Sequence, residues 1–331
     1  MKNGNETACP FKTSIGGQAL IEGILMRGPR KQSIVCRKAD GTLVQKTEDL
    51  KLNRDKNPIL KIPFLRGVPM FIDSMVNGMR ALTWSAEQLP EEEQEEPTKF
   101  DLWLEKKLGS EKAEKAVIGV AVFLGVLMAI ALFVLLPALL FELLPDSLHL
   151  VVRCILEGLI RIVIFVGYLW LVTRMKEVKR LFAYHGAEHK SIFCYEKRLP
   201  LTVENVREQS RFHPRCGTSF LVVTMLIAIL VVSVMTWVLS LIPGLAALPK
   251  LAAALVRVLA KLVILPIIVS LTYELNRWVG GHEDNPLAKI AAWPGKQTQH
   301  LTTREPDDGM IECAIEALKA VIPEAEGEDA W

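Results

Sequence analysis

Residues 117–140 read VIGVAVFLGVLMAIALFVLLPALL, with no charged side chain among them. A helix rises about 1.5 Å per residue and the hydrocarbon core of a bilayer is about 30 Å thick, so this stretch is long enough to cross a membrane. Three further segments have comparable length and apolarity: Leu150 to Thr173, Ser219 to Leu241 and Leu251 to Tyr273. The expected fold is a mainly α membrane protein, with four transmembrane helices and a small cytosolic N-terminal α+β unit.

The second and fourth segments differ from the others. Arg153, Glu157 and Arg161 form a charged stripe in the first half of one, and Arg257 and Lys261 stand early in the other. Charges inside a span face one another rather than lipid, so Glu157 is expected to pair with Arg257 or Lys261. An apolar helix, a proline turn and a charge-striped helix occur in that order twice, the pattern of a two-fold internal repeat.

Composition agrees with a membrane class. Half of the 331 residues are hydrophobic, mean hydropathy is +0.27 and formal net charge is only +2. The lipid bilayer is the expected partner, with a membrane or cytosolic protein as a second and no nucleic acid. The start, MKNGNETACPFKTS, has no apolar core of a cleavable signal peptide, so the N-x-T at Asn5 reads as a chance match. Lys and Arg crowd residues 99–115 and 174–215 and are absent from the turns at Pro145 to His149 and Pro243 to Pro249. That asymmetry predicts cytosolic termini and a place in the bacterial cytoplasmic membrane. Six cysteines without a C-x-x-C pair are expected as reduced thiols.

The chain divides by composition into 1–97, an α+β unit with an acidic linker; 98–273, the four-helix membrane part; and 274–331, a cytosolic C-terminal segment. In the first part, SIGGQALIEGILMRGPR (Ser14 to Arg30) reads as a strand or pinned loop close to another backbone, with a buried-looking carboxylate at Glu22. Gln32 to Leu50 reads as a hairpin about Ala39-Asp40-Gly41. Pro63 to Glu87 has helical period and a Met-rich face, and is expected to pack on these strands. PEEEQEEP (Pro90 to Pro97) is a solvated linker.

Chemistry concentrates between the second and third spans. Leu181 to Ser219 reads LFAYHGAEHKSIFCYEKRLPLTVENVREQSRFHPRCGTS, and holds three of the six histidines. His185, Glu188 and His189 form H-x-x-E-H. Imidazoles one helical turn apart can ligate one ion, and a carboxylate beside them can act as general base. His185 and His189 are therefore candidate ligands to a divalent metal, zinc by preference, with Glu188 as base. A polar helix face with exposed histidines is the bland alternative, and Gly186 permits a kink between the two rings. The third ligand is open among Glu274, His213, Cys216 and His282, with small-residue packing preferred for Cys216 beside Gly217-Thr218-Ser219. Arg215 is a candidate oxyanion or phosphate binder. In QHLTTREPDD (Gln299 to Asp308) a helix cap is favoured over a second cation site.

The strings GGQALIEGILMRGP, YHGAEHK, LTVENVREQSRFHPRCGTSF, YELNRW and LTTREPDD, in this order about paired spans, resemble the DUF1385 family of bacterial membrane proteins, from about Ile15 to about Leu318. The resemblance implies a metal-dependent enzyme without an agreed mechanism. The residues themselves point to metal-assisted hydrolysis of a peptide or lipid phosphate at the membrane–cytosol boundary. A non-enzymatic scaffold or regulator is the alternative, and transport a third class, disfavoured because the spans lack helices broken at mid-membrane.

Overall fold

The computed structural model describes residues 11–50, 61–90, 110–143, 145, 148, 150–325 and 327–331. The acidic linker and most of residues 99–115 and of the turn at 145–149 lie outside these. By internal contacts the chain forms two compact units, one of residues 1–90, 169–227 and 266–331, the other of 91–168 and 228–265.

The first unit is built on a four-stranded antiparallel sheet, β1 (Gly16–Leu20), β2 (Gly23–Arg27), β3 (Lys31–Arg37) and β4 (Leu43–Asp49), in that spatial order. The β3–β4 hairpin turns where the sequence placed it, with Gly41 at a φ of 84°. Glu22, in the β1–β2 turn at a φ of 49°, is a quarter exposed and not buried: it reaches Arg180. Successive strand residues point to opposite faces. Leu20, Leu25, Ile34 and Cys36 therefore meet helix α1 (Gly67–Ala86) through Ala81 on one side. Ile24, Met26 and Val35 point to the other.

That other face is covered from far along the chain. Helices α5 (Lys176–Glu196) and α11 (Asp308–Lys319) bring Ala187, Ile192, Ile311 and Leu318 into one core with the strands. The strands thus share a core with the C-terminal segment, because a half-buried sheet needs apolar cover on both faces. The Met-rich side of α1 behaves differently: Ile72, Met75 and Met79 are exposed.

Four helices among the described residues are long and apolar enough to cross a membrane: 119–142, 155–172, 221–240 and 251–281. The first runs through α2 (Ser110–Ile130), a π-helical turn (Ala131–Leu135) and α3 (Leu136–Glu142). Pro137 lacks the N–H that a regular helix needs there, and the wider turn accommodates it. The others lie in α4 (Leu150–Val172), α7 (Gly217–Ser240) and α9 (Lys250–Gly281), with the short helices α6 (Val203–Arg207) and α8 (Pro243–Ala246) between. Helix α9 continues past Tyr273 to the Gly280-Gly281 pair, where glycine stops it, and Asn285-Pro286 then opens α10 (Pro286–Thr302).

Within the second unit Glu157 accepts from both Arg161 and Lys261, each at 2.6 Å, and Arg257 is bonded to Glu142. Of the two partners proposed for Glu157, Lys261 is the one it has. Beside these pairs is a cavity of about 180 Å³ lined by both.

Candidate metal centre

Helix α5 carries the H-x-x-E-H motif without a kink. Gly186 serves close approach: a Cβ there would collide with the carbonyl of Arg304, whose own N–H donates to Phe182 O at 2.8 Å. The segment after α10 therefore lies directly on α5.

This contact orients the first imidazole. His185 Nδ1 donates to Thr302 O at 2.8 Å, and His189 Nδ1 donates to Arg211 O at 2.5 Å. With both Nδ1 protons fixed by backbone carbonyls, both Nε2 atoms are left to act as donors to a metal. His185 Nε2 lies 3.1 Å from Cys216 Sγ, while His189 Nε2 is buried without a hydrogen-bond partner of normal geometry. Among the described residues, His185, His189 and Cys216 form the one group of three whose donor atoms lie within 4.8 Å of one another. Donors about a tetrahedral zinc, bonded at about 2.0–2.3 Å, sit roughly 3.5 Å apart. Two nitrogens and a sulfur at this spacing could hold such an ion.

The electrostatics suit deprotonated sulfur. Burial pushes the Cys216 thiol up, but His189 and His185 outweigh it and hold the group well below its usual range. Burial likewise lowers His185, and the facing sulfur and Glu188 outweigh that, taking the imidazole up to about 9. Glu188 is 6% exposed, and burial raises its carboxyl despite the two imidazoles. Its Oε1 accepts from Gly17 N at 3.0 Å. A Cβ on Gly17 would lie 2.6 Å from Leu25 O and 3.0 Å from Glu188 Cδ, so the glycine lets β1 come within reach of this carboxylate.

The remaining sequence candidates are not members of this group, although the His213 ring lies 5.6 Å from that of His189. His213 is buried with Nδ1 accepting from Arg215 N at 3.3 Å and Nε2 lying 3.5 Å from Glu196. Burial, the largest influence, brings its imidazole down to about 4. Gln299 clamps its backbone, accepting from His213 N at 2.8 Å and donating to His213 O at 2.7 Å. Arg215 is held by Glu196 and Glu283. Glu274 is gripped by Arg66 through two bonds, at 2.7 and 2.6 Å. His282 is exposed, its Nδ1 donating to Trp278 O. Thr303, in the Thr302-Thr303 pair expected as a helix cap or turn, is the C-cap of α10, and Asp307 caps α11 by accepting from Met310 N. Cys216, one of the four candidates for third ligand although packing is preferred for it in the sequence, is the third member of the group. Its signal was the His213-Pro-Arg-Cys string, but only the Gln299 clamp fixes which of those side chains turns inward.

Fold and sequence together define a multi-pass helical membrane protein carrying a His/His/Cys group that could hold a metal. The family described as "Protein of unknown function (DUF1385)" matches residues 62–324, and the chain belongs to it. It is 33% identical over 316 residues to the Bacillus subtilis (strain 168) protein named "Uncharacterized protein YqhQ", covering 93% of this chain and 92% of that one. No solved structure matches.

Proposed function

We propose that this protein is a metal-dependent hydrolase of the bacterial cytoplasmic membrane, with both termini and the site on the cytosolic side. The observation that carries the reading is the convergence of His185 Nε2, His189 Nε2 and Cys216 Sγ within 4.8 Å of one another. Both Nδ1 protons are taken by backbone carbonyls, so both Nε2 atoms face the sulfur. A metal ion is the ligand that two imidazoles and a thiolate suit, and zinc is the ion this donor set favours.

Three protein ligands leave a tetrahedral ion one open position, the arrangement of catalytic rather than structural sites. A bound ion supplies Lewis acidity there. Glu188 acts as general base, its carboxyl raised by burial above the usual carboxylate range, with Gly17 N–H fixing one oxygen. Arg215, engaged by two carboxylates, is in this reading a positioning residue for the 211–216 loop, and Glu274 holds α1 on α9. Peptides and lipid phosphates are the substrate classes to test.

A scaffold or regulator with a structural ion is the second reading, favoured by the low exposure of His185 and His189, 7% and 1%. Metal content of the detergent-purified full chain, measured by mass spectrometry beside a His185→Ala/His189→Ala variant, tests both. Near-stoichiometric metal lost in the variant, with metal-dependent turnover of a peptide or lipid phosphate, supports the hydrolase. Metal without turnover favours the scaffold, and no metal after reconstitution overturns the site.

A further inference from the structure

Helix α10 has two opposed faces. Ala288, Ala292, Gly295, Gln299 and Thr302 form a buried stripe of small and polar side chains. On the other side Leu287, Ile290 and Trp293 are 67%, 68% and 61% exposed. Lys289 and Lys296 follow the border between the two faces at 100° per residue. A helix of a water-soluble surface would invert this, turning its largest apolar residues to the core.

The place of the helix says what covers the stripe. Residues 282–285 alone separate α10 from α9, whose last residue, Gly281, also ends the fourth candidate span. Ala288 and Ala292 pack in one apolar cluster with Val279, flanked by Leu275, both on that span. Helix α9 is 32 residues long. At about 1.5 Å per residue its length of about 48 Å exceeds the hydrocarbon thickness of about 30 Å by roughly 18 Å, so its ends reach the headgroups. A helix strapped to that end is held at the same level.

We infer that α10 is an interfacial helix, seated through Leu287, Ile290 and Trp293 in the leaflet into which α9 emerges. Trp at the headgroup boundary and an exposed lysine, Lys289, at its border are the chemistry of such helices. The inference is independent of any metal. Yet the last turn of α10 supplies Thr302 O to His185 and Gln299 to His213, so the candidate centre is braced by a helix resting on the membrane.

The test uses the full chain in proteoliposomes. Tryptophan emission is compared between the native protein and Trp293→Phe, in lipid brominated either near the ester end of the acyl chain or near its terminal methyl. The difference signal, that of Trp293, is expected to be blue-shifted from aqueous tryptophan, insensitive to iodide and most strongly quenched by the shallow bromines. Leu287→Trp placed on the Trp293→Phe background should restore a bromolipid-quenched component. A Trp293 signal quenched by iodide and indifferent to bromolipid overturns the inference. So does one shielded from both quenchers in a chain that cross-links as a dimer through Ile290→Cys, which would make a second copy the occupant.

Discussion

Lys261 Nζ lies 2.6 Å from Glu157 Oε1, joining two helices through charges 104 residues apart in the chain. Both side chains are nearly inaccessible, and Arg161 reaches the same carboxylate oxygen. Glu157 is thus shared by two cations, and the two halves of the pair are not equivalent.

Glu157→Leu leaves two cations without their common carboxylate, and is expected to cost about 3–5 kcal/mol, the range for breaking a buried pair. Lys261→Met leaves Glu157 with Arg161 and should cost distinctly less. Thermal unfolding in detergent reads both; equal losses would show that Arg161 does not share the carboxylate.

Metal occupancy should separate Cys216 from Glu274. Cys216→Ala removes a converging donor and is expected to lose metal by about 10-fold or more in affinity, a ligand being worth at least what an outer partner is. Glu274→Gln breaks only the grip on Arg66, and should leave metal content unchanged while lowering thermal stability. Loss of metal in Glu274→Gln would return that residue to the ligand set.

Gly17→Ala forces a Cβ against Leu25 O and the Glu188 carboxyl. Overpacking of this kind costs about 1–3 kcal/mol. Because the clash falls on the proposed base, turnover should fall further than stability or metal content. A variant with native activity would remove Glu188 from the mechanism.

His213 gives a pH signature. Its folded imidazole, at about 4, lies below the unfolded value of about 6.5, so the unfolded chain binds the extra proton first on acidification. This contribution is therefore complete above pH about 6.5 and is lost progressively down to pH about 4, amounting to about 3 kcal/mol. His213→Asn should flatten that part of the stability profile, measured as apparent Tm against pH. A parallel profile in the variant would assign the acid sensitivity elsewhere.

Much of this could be read before the fold. Length and apolarity mark the spans because lipid tolerates little else, and Glu157 had to find a cation because a lone charge in a span is too costly. The β3–β4 turn was visible in Asp40-Gly41, and the one-turn spacing of His185 and His189 was enough to bring their rings together. The third member could not be singled out from Glu274, His213, Cys216 and His282. Cys216 is small, and its role depends on Gln299 and Thr303 anchoring residues 211–213 from 86 and more positions away. Glu274 looked available because its partner, Arg66, lies 208 residues earlier. The shared core of the strands and α11 is likewise a matter of tertiary choice, since Ile311 and Leu318 would suit any apolar face.

The segment about Thr13 is tied to the far end of the chain: Thr13 Oγ1 donates to Asp329 at 2.6 Å, Ser14 N to Asp329 O at 2.6 Å, and Thr13 N to Glu196 at 2.9 Å. Thr302, which orients His185, also follows all four spans. Seen as a sequence of events during synthesis, the candidate centre is among the last parts to be completed. The spans leave the ribosome first, and His185 acquires its final orientation only when residues beyond 300 fold back onto it. Any ion the group takes up would therefore be acquired after insertion, and a nascent chain stalled between the third and fourth spans carries its histidines without the carbonyl that orients His185.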